Sequence, residues 1–192
     1  MAVTKRVDPG RIRAAFELGL SDFGENYLQE AMGKIEALPR DIHWHMIGHI
    51  QSNKAKLVPG FFDYAHSIDR PEILKALDRQ GKPLKILFEV NLSQEATKHG
   101  STEDALRSMI EHVSGLQHLE PVGLMTMPPP VEDPEEVRPY FIGLRGLLDT
   151  CNREFGLSMK ELSMGMSQDF EVAIEEGATM VRIGTALFGE RQ

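Results

Sequence analysis

Val181-Arg182-Ile183-Gly184-Thr185, together with Leu162-Ser163-Met164-Gly165-Met166-Ser167 ahead of it, decides the fold once it is set against Ala2-Val3-Thr4-Lys5 at the start of the chain. Each stretch is a short strand-like run that ends in a group able to meet a ligand. Lys5 offers an amine, Ser167 and Thr185 offer hydroxyls, and Gly184 offers an unhindered backbone. An architecture that lays its first strand beside its last brings all of these ends together.

The intervening sequence alternates strand and helix. Met1 to Thr4 reads as a strand. Asp8 and Pro9 open a helix to Gly19 as N-cap and first helical residue. Phe23 to Asn26 is a strand end, Tyr27 to Leu38 a helix and Ile42 to His49 a strand, with a short helix over Ser52 to Leu57. Tyr64 to Ile68 is a strand, and Asp69 with Pro71 opens a helix to Arg79. Lys85 to Asn91 is a buried strand, and Glu103 to Val113 a helix capped by Ser101 or Thr102. Val122 to Met127 is a strand, Pro134 to Phe155 a long helix, Glu161 to Gly165 a strand and Phe170 to Glu176 a helix closed by Gly177. Met180 to Ile183 is the last strand, followed by a terminal turn. Eight βα units predict a parallel sheet with helices outside, closed as a (β/α)8 TIM barrel. Residues 1–192 read as one domain, with tight loops. An open doubly wound sheet is the competing architecture, and it holds Lys5 and Thr185 together less reliably.

The 21 basic and 29 acidic side chains leave a formal charge of −8, without the Lys/Arg cluster that nucleic acid requires. No apolar run has the length of a membrane span and no signal peptide leads the chain. Cys151 is the single cysteine, so an internal disulfide is impossible and a reducing, cytoplasmic setting is expected.

Barrels of this kind place their ligands at the C-terminal ends of the strands. Lys5, Asn26, His49, His66-Ser67, Asn91, Thr126-Met127, Ser167 and Arg182 to Thr185 fall at such ends. A lysine on an apolar strand end, near a cation, attacks carbonyls because its neutral form is favoured; the competing reading is an exposed lysine opening a loop. Ser167, Gly184 and Thr185 can cradle a phosphate, although Ser167-Gln168-Asp169 is also an ordinary helix cap. An aldehyde that carries a phosphate is pyridoxal 5'-phosphate, PLP. An inward Arg182 would face the pyridine nitrogen and keep it unprotonated, because arginine holds its own proton; the alternative is a salt bridge to a carboxylate at the barrel end. His43, His45 and His49 share one face of their strand without a partner carboxylate or cysteine, so no metal is expected there and they read as core or rim residues.

The ordered set of motifs resembles the PLP-binding homeostasis family, related to the N-terminal barrel of alanine racemase. It comprises Ala2-Val3-Thr4-Lys5, Phe23-Gly24-Glu25-Asn26-Tyr27 and the run from Trp44 to Lys54 that contains Gly48-His49-Ile50-Gln51-Ser52-Asn53. His66-Ser67-Ile68-Asp69, Gly123-Leu124-Met125-Thr126-Met127, Leu162 to Ser167 and Arg182 to Gly189 complete it. The resemblance implies Lys5 as the Schiff-base lysine, Arg182 facing the pyridine nitrogen, Ser167, Gly184 and Thr185 as phosphate ligands, and Asn26 as a neighbour of the ring. Ser67 is counted with the cofactor-binding residues. Members of the family carry PLP or regulate free PLP and amino-acid balance without established turnover, and their barrel begins with an extra segment. Here Met1 lies only four residues ahead of Lys5, so the barrel reads as N-terminally shortened.

The expected function is PLP carriage or buffering without catalysis, with PLP-dependent apoenzymes as implied recipients and a monomer or weak homodimer as the expected state. Racemisation on this scaffold resembles a two-base reaction that borrows a base from another domain, and the sequence stops at Gln192 after the last barrel segment. A fold-type III racemase is the alternative, with Tyr27, Tyr64 or His66 as second base. An aldolase using Lys5 on sugar phosphates is a third reading.

Overall fold

The computed structural model describes residues 1–189 except 94 and 96–98. Eight parallel strands form one sheet in chain order. They are β1 (Ala2–Val3), β2 (Asp22–Glu25), β3 (His43–Met46), β4 (Tyr64–Ile68), β5 (Leu84–Glu89), β6 (Leu119–Met125), β7 (Glu161–Met166) and β8 (Met180–Arg182). The first strand pairs with the second and also meets the chain just past the last. Val3 N–H donates to Ile183 O at 2.7 Å and Ile183 N–H to Met1 O at 3.1 Å. The Met1 ammonium donates to Val181 O at 2.8 Å. This seam closes the sheet into the (β/α)8 barrel.

Helices cover the outside: α1 (Pro9–Glu17), α2 (Leu28–Ala37), α3 (Pro71–Asp78), α4 (Glu103–Val113), α5 (Arg138–Phe155), α6 (Phe170–Glu175) and α7 (Thr185–Phe188). Their ends follow local chemistry. The Asp8 carboxylate accepts Arg11 N–H at 3.1 Å ahead of Pro9, and Thr102 caps α4 through Ala105 N–H at 3.3 Å. Each cap satisfies a backbone donor that the helix cannot.

Strand alternation then divides the side chains. Ile86 and Phe88 of β5 join Ile12, Leu77, Leu106 and Phe141 in the apolar layer between sheet and helices. Leu87 and Glu89 lie on the opposite face, towards the barrel interior.

Three expected elements differ. The strand after Ile42 ends at Met46, where Ile47 N–H closes the ladder on Glu25 O at 3.0 Å, so His49 lies in the loop beyond it. The expected helix over Ser52 to Leu57 is a 3-10 helix at Ala55–Gly60 with Pro59 inside it, a residue that cannot donate the bond a longer α-helix requires. The long helix begins as a 3-10 turn at Pro134–Val137 and becomes α-helical from Arg138, with Pro139 in its first turn.

Val3→Pro removes the donor that meets Ile183 O while leaving the apolar layer in place. It is expected to cost on the order of 1–3 kcal/mol in denaturant unfolding. Unchanged stability would contradict a closed seam.

Candidate functional site

Lys5 is half-buried and lies in the turn after β1, one residue beyond Thr4. Both of its neighbours are tied down. Thr4 Oγ1 donates to Glu25 Oε1 at 2.7 Å, and Thr4 O accepts from Lys34 Nζ at 2.7 Å. On the other side, Arg6 N–H donates to Glu30 Oε1 at 2.5 Å while Arg6 holds a left-handed φ of 59°. Lys34 also bonds Glu25 Oε1 at 2.7 Å and Glu30 Oε1 at 2.5 Å. A buried cation from α2 and two carboxylates therefore fix the turn that carries Lys5. Burial raises the Glu25 carboxyl above its ordinary value, opposed by the bonds from Lys34 and Thr4.

The rim at β7 and β8 is set by a bend in the strand. Gly165 has φ 89°, and a Cβ there would collide with Ala173, so a side chain is excluded on both counts. The ladder with β8 shifts register between Ser163 and Met166. Asp169 Oδ1 then accepts Met166 N–H at 2.6 Å and holds the turn through Ser167. Ser167 Oγ accepts from Ala186 N–H at 3.4 Å in the first turn of α7. Thus Ser167, Gly184 and Thr185 lie on adjacent loops, and the chain just past β8 pairs with β1, the strand that leads into Lys5. Arg11 fastens this corner to α1 by donating to Phe188 O at 2.6 Å.

Arg182 is 4% exposed. Its Nη1 donates to Ser163 Oγ at 2.8 Å and its Nη2 to Thr126 O at 2.9 Å. Among the described residues it makes no ion pair, which replaces the salt-bridge alternative with a guanidinium held by a hydroxyl and a carbonyl. Burial lowers its pKa to about 10, opposed by the Glu89 and Asp169 charges, so it remains a cation at neutral pH.

Asn26 has a buried Oδ1 with no hydrogen-bond partner among the described residues. A Cβ at Gly48 would overlap the Asn26 backbone, so only glycine lets the β3 loop approach this closely. Ser67 Oγ donates to Gly48 O at 2.5 Å and secures that approach. Its single proton is thereby committed to the framework, leaving Ser67 only acceptor capacity toward a ligand.

These residues lie at the C-terminal ends of the strands. A cleft of about 400 Å³ opens there, with Asn26, Tyr27, Glu89, His99 and Met127 in its wall. Of the expected cofactor-binding set Asn26 is in that wall, and Lys5, Ser67, Ser167, Arg182, Gly184 and Thr185 are not. A larger recess of about 570 Å³, at Asp22, His43, Asp63 and Tyr64, lies at the opposite strand ends. The fold places ligands at the former.

Two features of the mouth escape sequence reading. Glu89, on β5, is 2% exposed. Burial and the nearby Asp69 charge raise its pKa to about 7, against the pull of Arg182. Its signal was a lone carboxylate in the apolar run Ile86-Leu87-Phe88-Glu89-Val90. His49, Asp69 and His99 also converge, all ligand atoms within 4.8 Å, although His99 is remote from the histidine-rich strand in sequence. Asp69 is already paired with Arg70 at 2.6 Å and with His49 at 3.4 Å.

The whole chain, residues 1–192, matches the family model described as alanine racemase, N-terminal domain. It is 46% identical over 197 residues to the pyridoxal phosphate homeostasis protein of Aquifex aeolicus, covering all of this chain and 86% of that one. Identity to the protein of the same name from Pseudomonas aeruginosa is 44% over 196 residues, covering 100% and 84%. The structure of PipY from Synechococcus elongatus with PLP bound superposes with a TM-score of 0.91 at 36% identity, covering 98% of this chain and 91% of PipY. Alanine racemase from Corynebacterium glutamicum shares the fold, with a TM-score of 0.77 at 19% identity over 100% of this chain and 56% of the racemase.

The folded Glu89 carboxyl binds its proton more tightly than the unfolded one. Its burial is therefore best tolerated below the ordinary value of 4.5, and stability falls as pH rises towards about 7. Glu89→Gln should remove that decline and raise stability at about pH 8 by on the order of 1–3 kcal/mol. Parallel pH profiles of the two unfolding curves would contradict the assignment.

Proposed function

Because the chain belongs to the alanine racemase N-terminal domain family, and within it to the pyridoxal phosphate homeostasis proteins, we propose that it binds PLP at the C-terminal mouth of its barrel and carries or buffers the cofactor without turning over a substrate. The observation that carries this reading is the β1–β8 seam, in which Ala2 bridges Ile183, so that the turn after β1 and the loop after β8 leave the same end of the barrel. One molecule at that end would meet an amine and a phosphate cradle together.

The donor set suits PLP group by group. Lys5 would capture the aldehyde on a turn that Lys34 and Glu30 hold still. Ser167, Gly184 and Thr185 would take the phosphate through a hydroxyl and the backbone amides of adjoining loops. Arg182 would donate to the ring nitrogen, and the unpartnered Asn26 oxygen would receive a polar group at the ring edge. Ser67 would act through Gly48, keeping Asn26 in place. PLP supplies an electrophilic aldehyde and an aromatic ring that accepts electron density. Arg182, which holds its own proton, would leave the ring nitrogen unprotonated, a poorer electron sink than a pyridinium facing a carboxylate.

Racemisation finds weaker support. Tyr64 lines the recess at the far end of the barrel, and His66 is buried in the interior between His45 and Ser163. Of the three candidate second bases, Tyr27 lines the cleft. The sugar-phosphate aldolase reading has no relation to the names its relatives bear. We place the protein in the cytoplasm, as a monomer or weak homodimer that passes PLP to apoenzymes. No described helix is long and apolar enough to cross a membrane.

Adding PLP to the purified protein should generate a visible chromophore that saturates at one equivalent. Borohydride should bleach it and fix a pyridoxyl group on Lys5. Lys5→Ala should lose the chromophore, and an amino-acid panel should show no racemisation. Protein that takes up no PLP contradicts the proposal, and Lys5-dependent racemisation would replace carriage with catalysis.

A further inference from the structure

Arg182 stands at one end of a polar file that crosses the barrel interior. Ser163 Oγ, which accepts from Arg182, lies 2.9 Å from His66 Nδ1. His66 Nε2 lies 2.9 Å from His45 Nδ1, and His45 Nε2 lies 3.1 Å from Asp22 Oδ1. The four groups sit on β7, β4, β3 and β2 in turn. Ser163, His66 and His45 are buried. The Asp22 side chain is 45% exposed, in the recess at the opposite strand ends. Tyr64 stacks on the His45 ring at 4.3 Å and holds it in place.

The two ends of the file determine every proton between them. A guanidinium only donates, so Ser163 Oγ must accept from Arg182. The serine proton then points to His66 Nδ1, which must be bare. Burial keeps His66 neutral, so its one proton is on Nε2 and is given to His45 Nδ1. His45 is likewise held neutral by burial and donates its Nε2 proton to Asp22. Asp22, whose pKa is lowered mainly by the His45 hydrogen bond, is an acceptor only. All four bonds run one way, from buried cation to rim anion. If one ring reversed its tautomer, two N–H groups would face each other or Ser163 would receive two donors and lose the acceptor for its own proton. Mutual polarisation along such a chain makes each bond depend on the next.

We propose that Asp22, His45, His66 and Ser163 are positioning residues that hold Arg182 in one orientation as donor to the ring nitrogen of the bound cofactor, so that a charge at the far rim of the barrel tunes the ring at its mouth. The proposal rests on the reading that Arg182 faces that nitrogen. A merely structural file would fill the interior but leave the electronic state of the ring unaltered. This one ends on the group that sets it.

Two measurements test the proposal. In the ligand-free protein, ring ¹⁵N NMR should find His45 and His66 neutral with the proton on Nε2 at about pH 7 to 8. An Nδ1 proton on His66 overturns the relay. In the PLP complex, the ¹⁵N shift of labelled cofactor reports the bond at the ring nitrogen. Arg182→Lys should move it strongly. His66→Leu should move it in the same direction and weaken PLP binding about fivefold, and Asp22→Asn should move it less. His66→Gln should restore the wild-type shift, since its amide oxygen can take the serine proton while its amide N–H serves His45. Movement with Arg182→Lys alone overturns the relay and leaves the site reading standing. No movement with Arg182→Lys overturns the site reading and the relay with it. If His66→Leu does not fold, Asp22→Asn at the exposed end decides alone.

Discussion

The bond from Val3 N–H to Ile183 O, 2.7 Å long, joins the two ends of the sheet, and the proposed site depends on it. β1 has only two residues, so this bond and the Met1 ammonium on Val181 O carry much of the seam. An open sheet would leave the edges of β1 and β8 unpaired and separate the amine from the loops at Ser167 and Gly184. Closure satisfies both edges and brings together groups 180 positions apart in sequence. Fold stability and ligand geometry therefore share one set of backbone bonds.

Around that seam, charge is buried where it fixes position. Lys34 reaches inward from α2 to hold Thr4 O, Glu25 and Glu30. Removing one member of such a cluster leaves a buried charge unpaired, which is usually more costly than never having had the pair. Arg182 follows a different rule, with its charge shared between a hydroxyl and a carbonyl. One device holds the backbone beside Lys5 and the other aims a donor. Together they describe a mouth whose polar groups are fixed before a ligand arrives, which lowers the ordering cost of binding.

Much of this was legible from the chain. Tyr64–Ile68 and Glu103–Val113 form as their patterns require, because period-two and helical spacing are local signals. The ends bearing Lys5, Ser167 and Arg182 to Thr185 were marked by Gly, Ser and Thr following short apolar runs. Lys34 was not marked, since its role comes from turning inward from α2 to meet groups on other elements, which helical spacing alone does not disclose. Nor was Glu89 recognised, although a lone carboxylate in a buried run was visible. The partnership of His66 with Ser163 spans 97 positions, and no spacing rule reaches that far. His49 was misplaced on its strand because the run from Ile42 keeps alternating after the ladder has ended at Met46. Local patterns disclosed the frame and its polar ends, whereas closure across the barrel determined which ends meet.

The most direct test is a crystal structure of the protein grown with PLP. Continuous density should run from Lys5 Nζ to the cofactor, with its phosphate against Ser167 and the Gly184–Thr185 backbone and its ring nitrogen on Arg182. A cofactor lodged in the recess at Asp22 and His43, or one at the mouth with its phosphate turned away from Ser167 and Gly184, would contradict the account.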